Sequence, residues 1–219
     1  MQCDDALKER IRGHLAAFDV HTANQHDHRS AAVAITVADE GFGADLEGLP
    51  THTSWSARAA LILTRRAAHL NNHPGQWALP GGRTDPNESA EATALREMHE
   101  EVGLELEATD VLGRLDDFIT RSGFVMTPVV IWGGPHRRLE PNPAEVERIH
   151  RIPIAEFLRS DAPMLEHIPE SDRPVLRMPV GDTHIAAPTA AILYQFREVC
   201  VLGRSTRVAH YEQPEFAWR

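Results

Sequence analysis

Three glutamates occur close together near the end of the segment GRTDPNESAEATALREMHEEVGL at positions 82–104. On a helix, Glu97, Glu100 and Glu101 would lie on one face, because their spacings are three and four residues. Like charges at these spacings destabilise a helix unless something offsets them. A divalent cation does so directly, and Mg²⁺ prefers a few carboxylates together with substrate phosphates. The alternative is a solvated acidic face that binds nothing.

The residues around these glutamates predict a helix over about 90–102. Ala94 and Met98 recur at helical spacing and give the helix an apolar side that can pack against a sheet. Ser89 has the side chain of an N-cap, and Gly103 is placed to end the helix in the left-handed conformation. The helix therefore has both an acidic face and a buried face.

The same segment has a regular form: Gly, five residues, Glu, seven residues, then Arg-Glu-apolar-X-Glu-Glu-X-Gly-apolar. Its fixed positions are filled by Gly82, Glu88, Arg96, Glu97, Met98, Glu100, Glu101, Gly103 and Leu104. This pattern resembles the signature of the Nudix hydrolase family at every position. The resemblance implies an α/β (α+β) fold, a mixed β-sheet sandwiched between helices, with the signature as a loop–helix–loop.

The resemblance also implies a metal site and a reaction. Glu97, Glu100 and Glu101 are expected to bind Mg²⁺ or Mn²⁺, with the backbone carbonyl of Gly81 as a further ligand. The reaction would be attack of water on one phosphorus of a diphosphate, with the metal stabilising the developing charge.

The remaining signature residues have structural roles by the same resemblance. Glu88 and Arg96 would pair and brace the loop against the helix, while Gly82 and Gly103 are structural positions. A surface ion pair that contributes little is the alternative for the Glu88–Arg96 pair.

The general base of such a reaction is usually sought outside the signature helix. Glu145, in the sequence NPAEVERI, is one candidate, and Glu101 itself is the other. A surface carboxylate without a catalytic role is an equal alternative for Glu145.

The sequence LILTRRAAHLNNHPGQWALPGGRTD at 61–85 points to a branch of the family. It is similar to the motif of coenzyme A pyrophosphatases at Leu63, Thr64, Arg66, Leu70, His73, Gly75, Gln76, Pro80, Gly81 and Gly82. Segments 118–130, 143–158 and 185–193 also resemble that branch. The motif differs here at Ala67, Asn71 and Leu79, and Asn71 removes a positive charge that could meet the 3′-phosphate of coenzyme A.

Basic residues near the acidic helix are candidates for binding a polyanionic substrate. Arg65, Arg66 and Arg83 supply positive charge, and arginine matches phosphate geometry. Arg121, in TRSGF, would reach the substrate from a facing loop, and His73 would contact it or brace its own loop. The alternatives are ion pairs with acidic residues and turn formation.

The composition limits the partners. The 219 residues carry a net charge of −10, which disfavours binding to nucleic acid along a broad face. Two cysteines, Cys3 and Cys200, are typical of a reduced compartment, and we expect a cytoplasmic protein with no signal peptide and no membrane contact. A small nucleoside diphosphate of the coenzyme A type is the expected partner, and family analogy suggests a homodimer.

The chain is predicted to contain an N-terminal helix and polar linker at 1–30, a Nudix domain at 31–202 and a tail at 203–219. A long loop is predicted at 38–57, which is rich in Gly, Asp and Pro. Further helices are predicted at 4–18, 154–159 and 189–201, the last opened by Pro188. Strands are predicted at 31–37, 59–64, 76–79, 111–119, 125–132, 145–152, 175–180 and 183–186.

The sequence therefore favours cleavage of coenzyme A or acyl-coenzyme A to 3′,5′-ADP and a 4′-phosphopantetheine. Two alternatives stay open. One is the same catalysis on ADP-ribose, NADH or another nucleoside diphosphate derivative, and the other is a Nudix-fold binding module without turnover.

Overall fold

The computed structural model describes residues 1–24, 28–70, 73–169 and 171–214. Asn71 and the aromatic end of the predicted tail lie outside the described residues. The helices are α1 (Asp5–Ala16), α2 (Ala90–Val102), α3 (Ile154–Phe157) and α4 (Thr189–Phe196), which continues into a π-helical turn at Arg197–Val201. The strands are β1 (Arg29–Gly43), β2 (Thr51–Arg66), β3 (Trp77–Ala78), β4 (Gly81–Arg83), β5 (Val111–Arg114), β6 (Phe118–Ile119), β7 (Phe124–Gly134), β8 (Val146–Pro153), β9 (Met164–Ile168), β10 (Ser171–Val180) and β11 (Thr183–Ala186).

The main sheet is mixed, as predicted. Its central order is β3-β2-β1-β7-β5, with β4 on β1, β6 on β7 and β8 on β2. β1 and β7 run parallel, with Ile35 opposite Val130, whereas β1 and β2 are antiparallel, with Val37 opposite Leu61. A second sheet has the order β11-β10-β9.

The two faces of the main sheet are covered by different layers. Because side chains alternate along a strand, Leu61 and Leu63 of β2 face one side and Ile62 faces the other. Ile62 packs in the same cluster as Met98 of α2. Leu61 and Leu63 share a cluster with Ile11 of α1, with α4 and with the second sheet. The sheet is thus sandwiched between helices, which confirms the predicted fold class.

The prediction of a long loop at 38–57 was wrong. β1 and β2 extend into this segment from both ends and leave only 44–50 as the connection. Asp39 and Glu40 suggested a solvated loop, yet both are buried in β1. Asp39 forms an ion pair with Arg151 at 2.9 Å, so its charge is compensated by a partner far along the chain.

The other predicted elements agree with the structure more closely. Helix α2 has the predicted bounds, and β10 and β11 form the predicted hairpin. The strand predicted at 111–119 is divided into β5 and β6, and β9 was not predicted.

No helix in the described part of the chain is long and apolar enough to cross a membrane.

Candidate functional site

Helix α2 is fixed at both ends by the residues that the sequence predicts. The Ser89 hydroxyl accepts a hydrogen bond from the Ala92 N–H at 3.1 Å. Gly103 has a φ of 66°, and the Leu104 N–H donates to the Met98 carbonyl at 3.2 Å. Such a Schellman-type end satisfies carbonyls that the helix itself leaves open. The positions of the three glutamates therefore follow from local sequence.

The three glutamates differ in burial. Glu97 is 7% exposed and Glu101 is 4% exposed, whereas the side chain of Glu100 is half exposed. Burial raises the pKa of Glu97, and the charges of Glu100 and Glu145 raise it further. Burial also raises the pKa of Glu101 to about 8, with the charges of Glu97 and Glu145 acting in the same direction. Burial and mutual repulsion therefore disfavour the charged forms of Glu97 and Glu101, and a bound cation would favour them.

The Gly81–Gly82 segment of β4 lies directly against these carboxylates. Gly81 is opposite Val33 of β1, which holds the segment at the sheet. A Cβ atom on Gly82 would overlap Oε1 of Glu97, so a side chain at this position would displace the Glu97 carboxylate. A backbone hydrogen bond from Gly81 acts to lower the pKa of Glu101. The Gly81 carbonyl as a metal ligand stays a prediction.

Arg96 connects the signature loop to the helix. Its Nε and Nη2 donate to the two carboxylate oxygens of Glu88 at 3.0 and 3.1 Å. Nη1 donates to Glu97 at 2.8 Å and to Glu100 at 2.9 Å, and Nη2 also reaches the Arg83 carbonyl at 3.1 Å. The hydrogen bonds from Arg96 lower the pKa of Glu88 to about 2. One guanidinium therefore holds the loop and two of the three helix carboxylates.

The donor chemistry of this cluster fits a hard divalent cation, because carboxylate oxygens are the ligands that Mg²⁺ and Mn²⁺ take. In the described ranges, no three His, Cys, Asp or Glu side chains converge closely enough to hold a metal ion as they stand. Arg96 accounts for this arrangement, because it draws Glu97 and Glu100 to itself. The set Glu97, Glu100 and Glu101 thus stays a predicted ligand set.

Glu145 lies next to the same cluster. Its carbonyl accepts a hydrogen bond from the Ala67 N–H at 2.9 Å, and the Asn142 N–H donates to the Glu101 carbonyl at 3.0 Å. These bonds tie the segment before β8 to the chain just after β2 and to the end of α2. The Glu145 side chain is exposed, and its charge acts on both Glu97 and Glu101. Both candidates for the general base are therefore close to each other.

Arg65 and Arg66 lie on opposite faces of the sheet. Arg66 shares its face with Ile62 and α2, and its charge lowers the pKa of Glu101. Arg65 lies on the other face, with its guanidinium 3.9 Å from the centre of the Trp77 ring. Of these two arginines, Arg66 is the one placed to act at the carboxylate cluster.

The other basic candidates are spread around the cluster. Arg83 lies 5.4 Å from the centre of the Phe124 ring. Arg121 forms two hydrogen bonds with Glu212, at 2.8 and 2.5 Å, so its charge is compensated by the tail. His73 has a φ of 54° and lies in the turn that returns the chain to Trp77. The substrate-binding roles of these residues stay predictions.

Two residues near Arg65 were not indicated by any sequence pattern. Arg177 and His184, from β10 and β11, line a cavity together with Arg65 and Trp77. Both lie about a hundred residues or more beyond Arg65 and Trp77 along the chain. No local spacing relates them to the signature, so only the packing of the second sheet against the main sheet reveals the group.

Comparisons with known proteins indicate the same family as the signature at 82–104. A family model described as NUDIX domain matches residues 55–177. An uncharacterized Nudix hydrolase NudL from Photorhabdus laumondii is 44% identical over 102 residues, which are 46% of this chain and 54% of that protein. Nudix hydrolase 3 from Caenorhabditis elegans is 35% identical over 127 residues, 56% of this chain and 53% of that protein. The chain thus spans about half the length of the curated relatives it matches.

A solved structure also has this fold. The crystal structure of a NUDIX hydrolase from Alicyclobacillus acidocaldarius superposes with a TM-score of 0.50 and 17% identity. The match covers 83% of this chain and 95% of that one. At this identity the similarity concerns the fold alone.

Proposed function

Because the chain belongs to the Nudix family, whose domain model covers residues 55–177, we propose that it is a metal-dependent hydrolase of nucleoside diphosphate derivatives. The observation that carries this proposal is the burial of Glu97 and Glu101 against Gly81 and Gly82, beside the positive charge of Arg66. Arg96 compensates part of the charge of Glu97, whereas the raised pKa of Glu101 means that its charged form is unfavourable until a cation compensates it.

Glu97, Glu100 and Glu101 would hold Mg²⁺ or Mn²⁺ in this enzyme. When bound, the metal supplies positive charge for the developing phosphate charge and lowers the pKa of the attacking water. Arg96 hydrogen-bonds to Glu97 and Glu100, and Gly82 allows Glu97 to approach the backbone closely.

The covalent step is hydrolysis of one P–O bond of the diphosphate bridge. The water oxygen forms a new bond to one phosphorus, the bridging oxygen leaves with the other phosphate, and the water proton passes to a carboxylate. Glu145 and Glu101 are the two candidates for that carboxylate, since both lie at the cluster. Arg66 is the residue that we expect to bind the substrate phosphate beside it.

Within this reaction class, we propose coenzyme A or an acyl-coenzyme A as the substrate. The products would be 3′,5′-ADP and 4′-phosphopantetheine or its acyl derivative. Support comes from the motif at 61–85, whose Arg66, His73 and Gln76 match the coenzyme A branch. ADP-ribose, NADH or another nucleoside diphosphate derivative is the alternative substrate, and a binding module without turnover is the second alternative.

A substrate panel tests this choice. The purified protein is incubated with Mg²⁺ or Mn²⁺ and coenzyme A, dephospho-coenzyme A, ADP-ribose or NADH, and the products are identified by mass. We expect 4′-phosphopantetheine with 3′,5′-ADP to form faster than any other product. Faster cleavage of ADP-ribose or NADH would exclude the coenzyme A assignment while leaving the hydrolase proposal intact.

The organisation of the chain fits the same proposal. We propose that 31–202 is the catalytic domain, and the family match lies inside it. Helix α1, in the segment 1–30, contacts this domain, since His14 Nδ1 lies 2.9 Å from the Cys200 carbonyl oxygen. The tail at 203–219 joins it through Glu212. A cytoplasmic location and a homodimer stay predictions.

A further inference from the structure

A small cavity lies on the sheet face opposite α2, between the end of β2 and the second sheet. Its volume is about 220 Å³. Two arginines and one histidine line it, Arg65, Arg177 and His184, together with Gln76, Trp77 and Thr189. Within the described part of the chain, no Asp or Glu lines this cavity. In a protein with a net charge of −10, a cavity lined by two arginines is suited to an anion.

Arg65 is held in position before any ligand binds. Its guanidinium lies 3.9 Å from the centre of the Trp77 ring, and Nη1 donates to the Gly75 carbonyl at 3.0 Å. No carboxylate in the described residues forms an ion pair with Arg65, although the charge of Glu147 acts on it from a distance. A guanidinium has five N–H donors, so most of its donors are available to a ligand.

Arg177 is positioned from the opposite wall. Its Nε and Nη2 contact Glu166 at 2.7 and 2.6 Å, and Nη1 lies 2.9 Å from His184 Nε2. Because an arginine is always a donor, His184 accepts through Nε2 and is neutral in this contact. Burial and the charge of Arg177 lower the pKa of His184, in agreement with this assignment. An anion between the two arginines would accept hydrogen bonds from the guanidinium N–H groups that the cavity walls leave unused.

Two further groups favour an oxyanion over other ligands. The indole Nε1 of Trp77 is buried, and it has no hydrogen-bond partner in the part of the chain that the structure describes. A buried donor without an acceptor is costly, and a phosphoryl oxygen would satisfy it. Thr189 is the first residue of α4, where backbone N–H groups and the helix dipole favour negative charge.

We propose that this cavity is a binding site for a phosphomonoester group, held between Arg65 and Arg177. The site is separate from the carboxylate cluster, because Arg65 and Arg66 lie on opposite faces of β2. The phosphomonoester has two possible sources. It is either a terminal phosphate of the hydrolase substrate, such as the 3′-phosphate of coenzyme A, which rests on the proposed function, or a phosphate of a separate ligand, which does not.

Binding is tested by NMR with inorganic phosphate as the probe, on the full chain without added metal. The indole N–H signal of Trp77, assigned by its loss in Trp77→Phe, and the ring signals of His184 report on the cavity. We expect phosphate to shift both signals, and Arg177→Gln to weaken binding by about tenfold or more. Arg173→Gln is the matched control, because Arg173 is an exposed arginine of the same strand. Signals that do not move with phosphate, or that move equally in Arg177→Gln, overturn the proposal.

Substrate kinetics then distinguish the two sources. If the substrate supplies the phosphate, the ratio of kcat/KM for coenzyme A over dephospho-coenzyme A falls about tenfold in Arg177→Gln and stays at the wild-type value in Arg173→Gln. If a separate ligand supplies it, the phosphate shifts are lost in Arg177→Gln while the ratio is unchanged. If the protein cleaves neither compound, the coenzyme A proposal is disproved. The phosphate titration still shows whether the cavity binds a phosphate. Arg177→Lys replaces Arg177→Gln if the latter lacks a native spectrum, since lysine cannot bind a phosphate in the same bidentate way.

Discussion

The Glu97 carboxylate rests on the backbone of Gly82, where any Cβ atom would overlap its Oε1. Gly82 belongs to β4, which is hydrogen-bonded to β1, and Glu97 belongs to α2, which packs on the same sheet. Both elements are held by the core, so a side chain at position 82 would be accommodated by moving the Glu97 carboxylate away from Gly82.

Replacing Gly82 with alanine should displace Glu97 and reduce activity. A displacement of about 1 Å at a catalytic site costs on the order of 100-fold in rate, so we expect kcat to fall by about that factor. Steady-state kinetics measures the loss, and circular dichroism checks that the fold is kept.

Gly13→Ala is the control for this substitution. Gly13 lies in α1, and a Cβ atom added there would meet nothing within 4 Å. Alanine at this position should stabilise the helix by about 1 kcal/mol and leave kcat unchanged. Wild-type kcat in a folded Gly82→Ala variant would contradict the proposed role of the contact.

Glu101→Gln should separate metal binding from folding. A cation that binds only the folded protein raises its Tm, so Mg²⁺ should stabilise the wild type. Without the Glu101 charge, this rise should be lost and turnover should fall by about 100-fold or more. Differential scanning fluorimetry with and without Mg²⁺ measures the first effect. Glu105→Gln is the control, because Glu105 is an exposed glutamate just after the helix, and its Tm should still rise with Mg²⁺. A rise in Tm of Glu101→Gln equal to that of the wild type would argue against the metal site.

The Arg96–Glu88 pair should contribute to stability through both of its hydrogen bonds. Because the pair is bidentate and both side chains are partly buried, we expect a coupling energy of about 1–2 kcal/mol. Urea unfolding of Arg96→Gln, Glu88→Gln and the double variant gives this value. A coupling near zero would mean that the pair is an ordinary surface ion pair.

Glu212 should make the stability depend on pH at the acid end. The hydrogen bond from Arg121 lowers the pKa of Glu212 from 4.5 to about 2, and Ser171 and Gln213 also donate to it. Because the pKa of Glu212 is lower in the folded state, this carboxylate contributes fully to the free energy of unfolding above pH 4.5. The contribution is lost as the pH falls from 4.5 towards 2. Thermal unfolding across that pH range measures the loss of stability, and Glu212→Gln should reduce the slope of Tm against pH. An equal slope in the variant would show that other carboxylates dominate acid unfolding.

Local sequence was sufficient to predict helix α2. Ser89 and Gly103 fix its ends, and the spacing of Glu97, Glu100 and Glu101 fixes their side. Strand alternation also places Arg65 and Arg66 on opposite faces of the sheet, although their adjacency in the sequence suggests one basic group. Features that depend on residues close together in the chain could thus be predicted from residue types and spacing.

Features that depend on distant partners could not be predicted. Asp39 is buried in β1, where Arg151, Trp55 and the His136 N–H supply its partners, so its polar character wrongly indicated a loop. Arg177 lines the same cavity as Arg65 only because the two sheets pack together. The hold of Arg96 on Glu97 and Glu100 depends on rotamers that residue spacing does not determine.

The carboxylates of α2 are proposed to carry metal-dependent cleavage of a diphosphate. The most direct test compares the wild type with Glu101→Gln on coenzyme A in the presence of Mg²⁺, with products identified by mass. We predict 3′,5′-ADP and 4′-phosphopantetheine from the wild type, no product when the metal is chelated, and little from Glu101→Gln. Product formation by Glu101→Gln at the wild-type rate, or cleavage that survives chelation, would contradict this proposal.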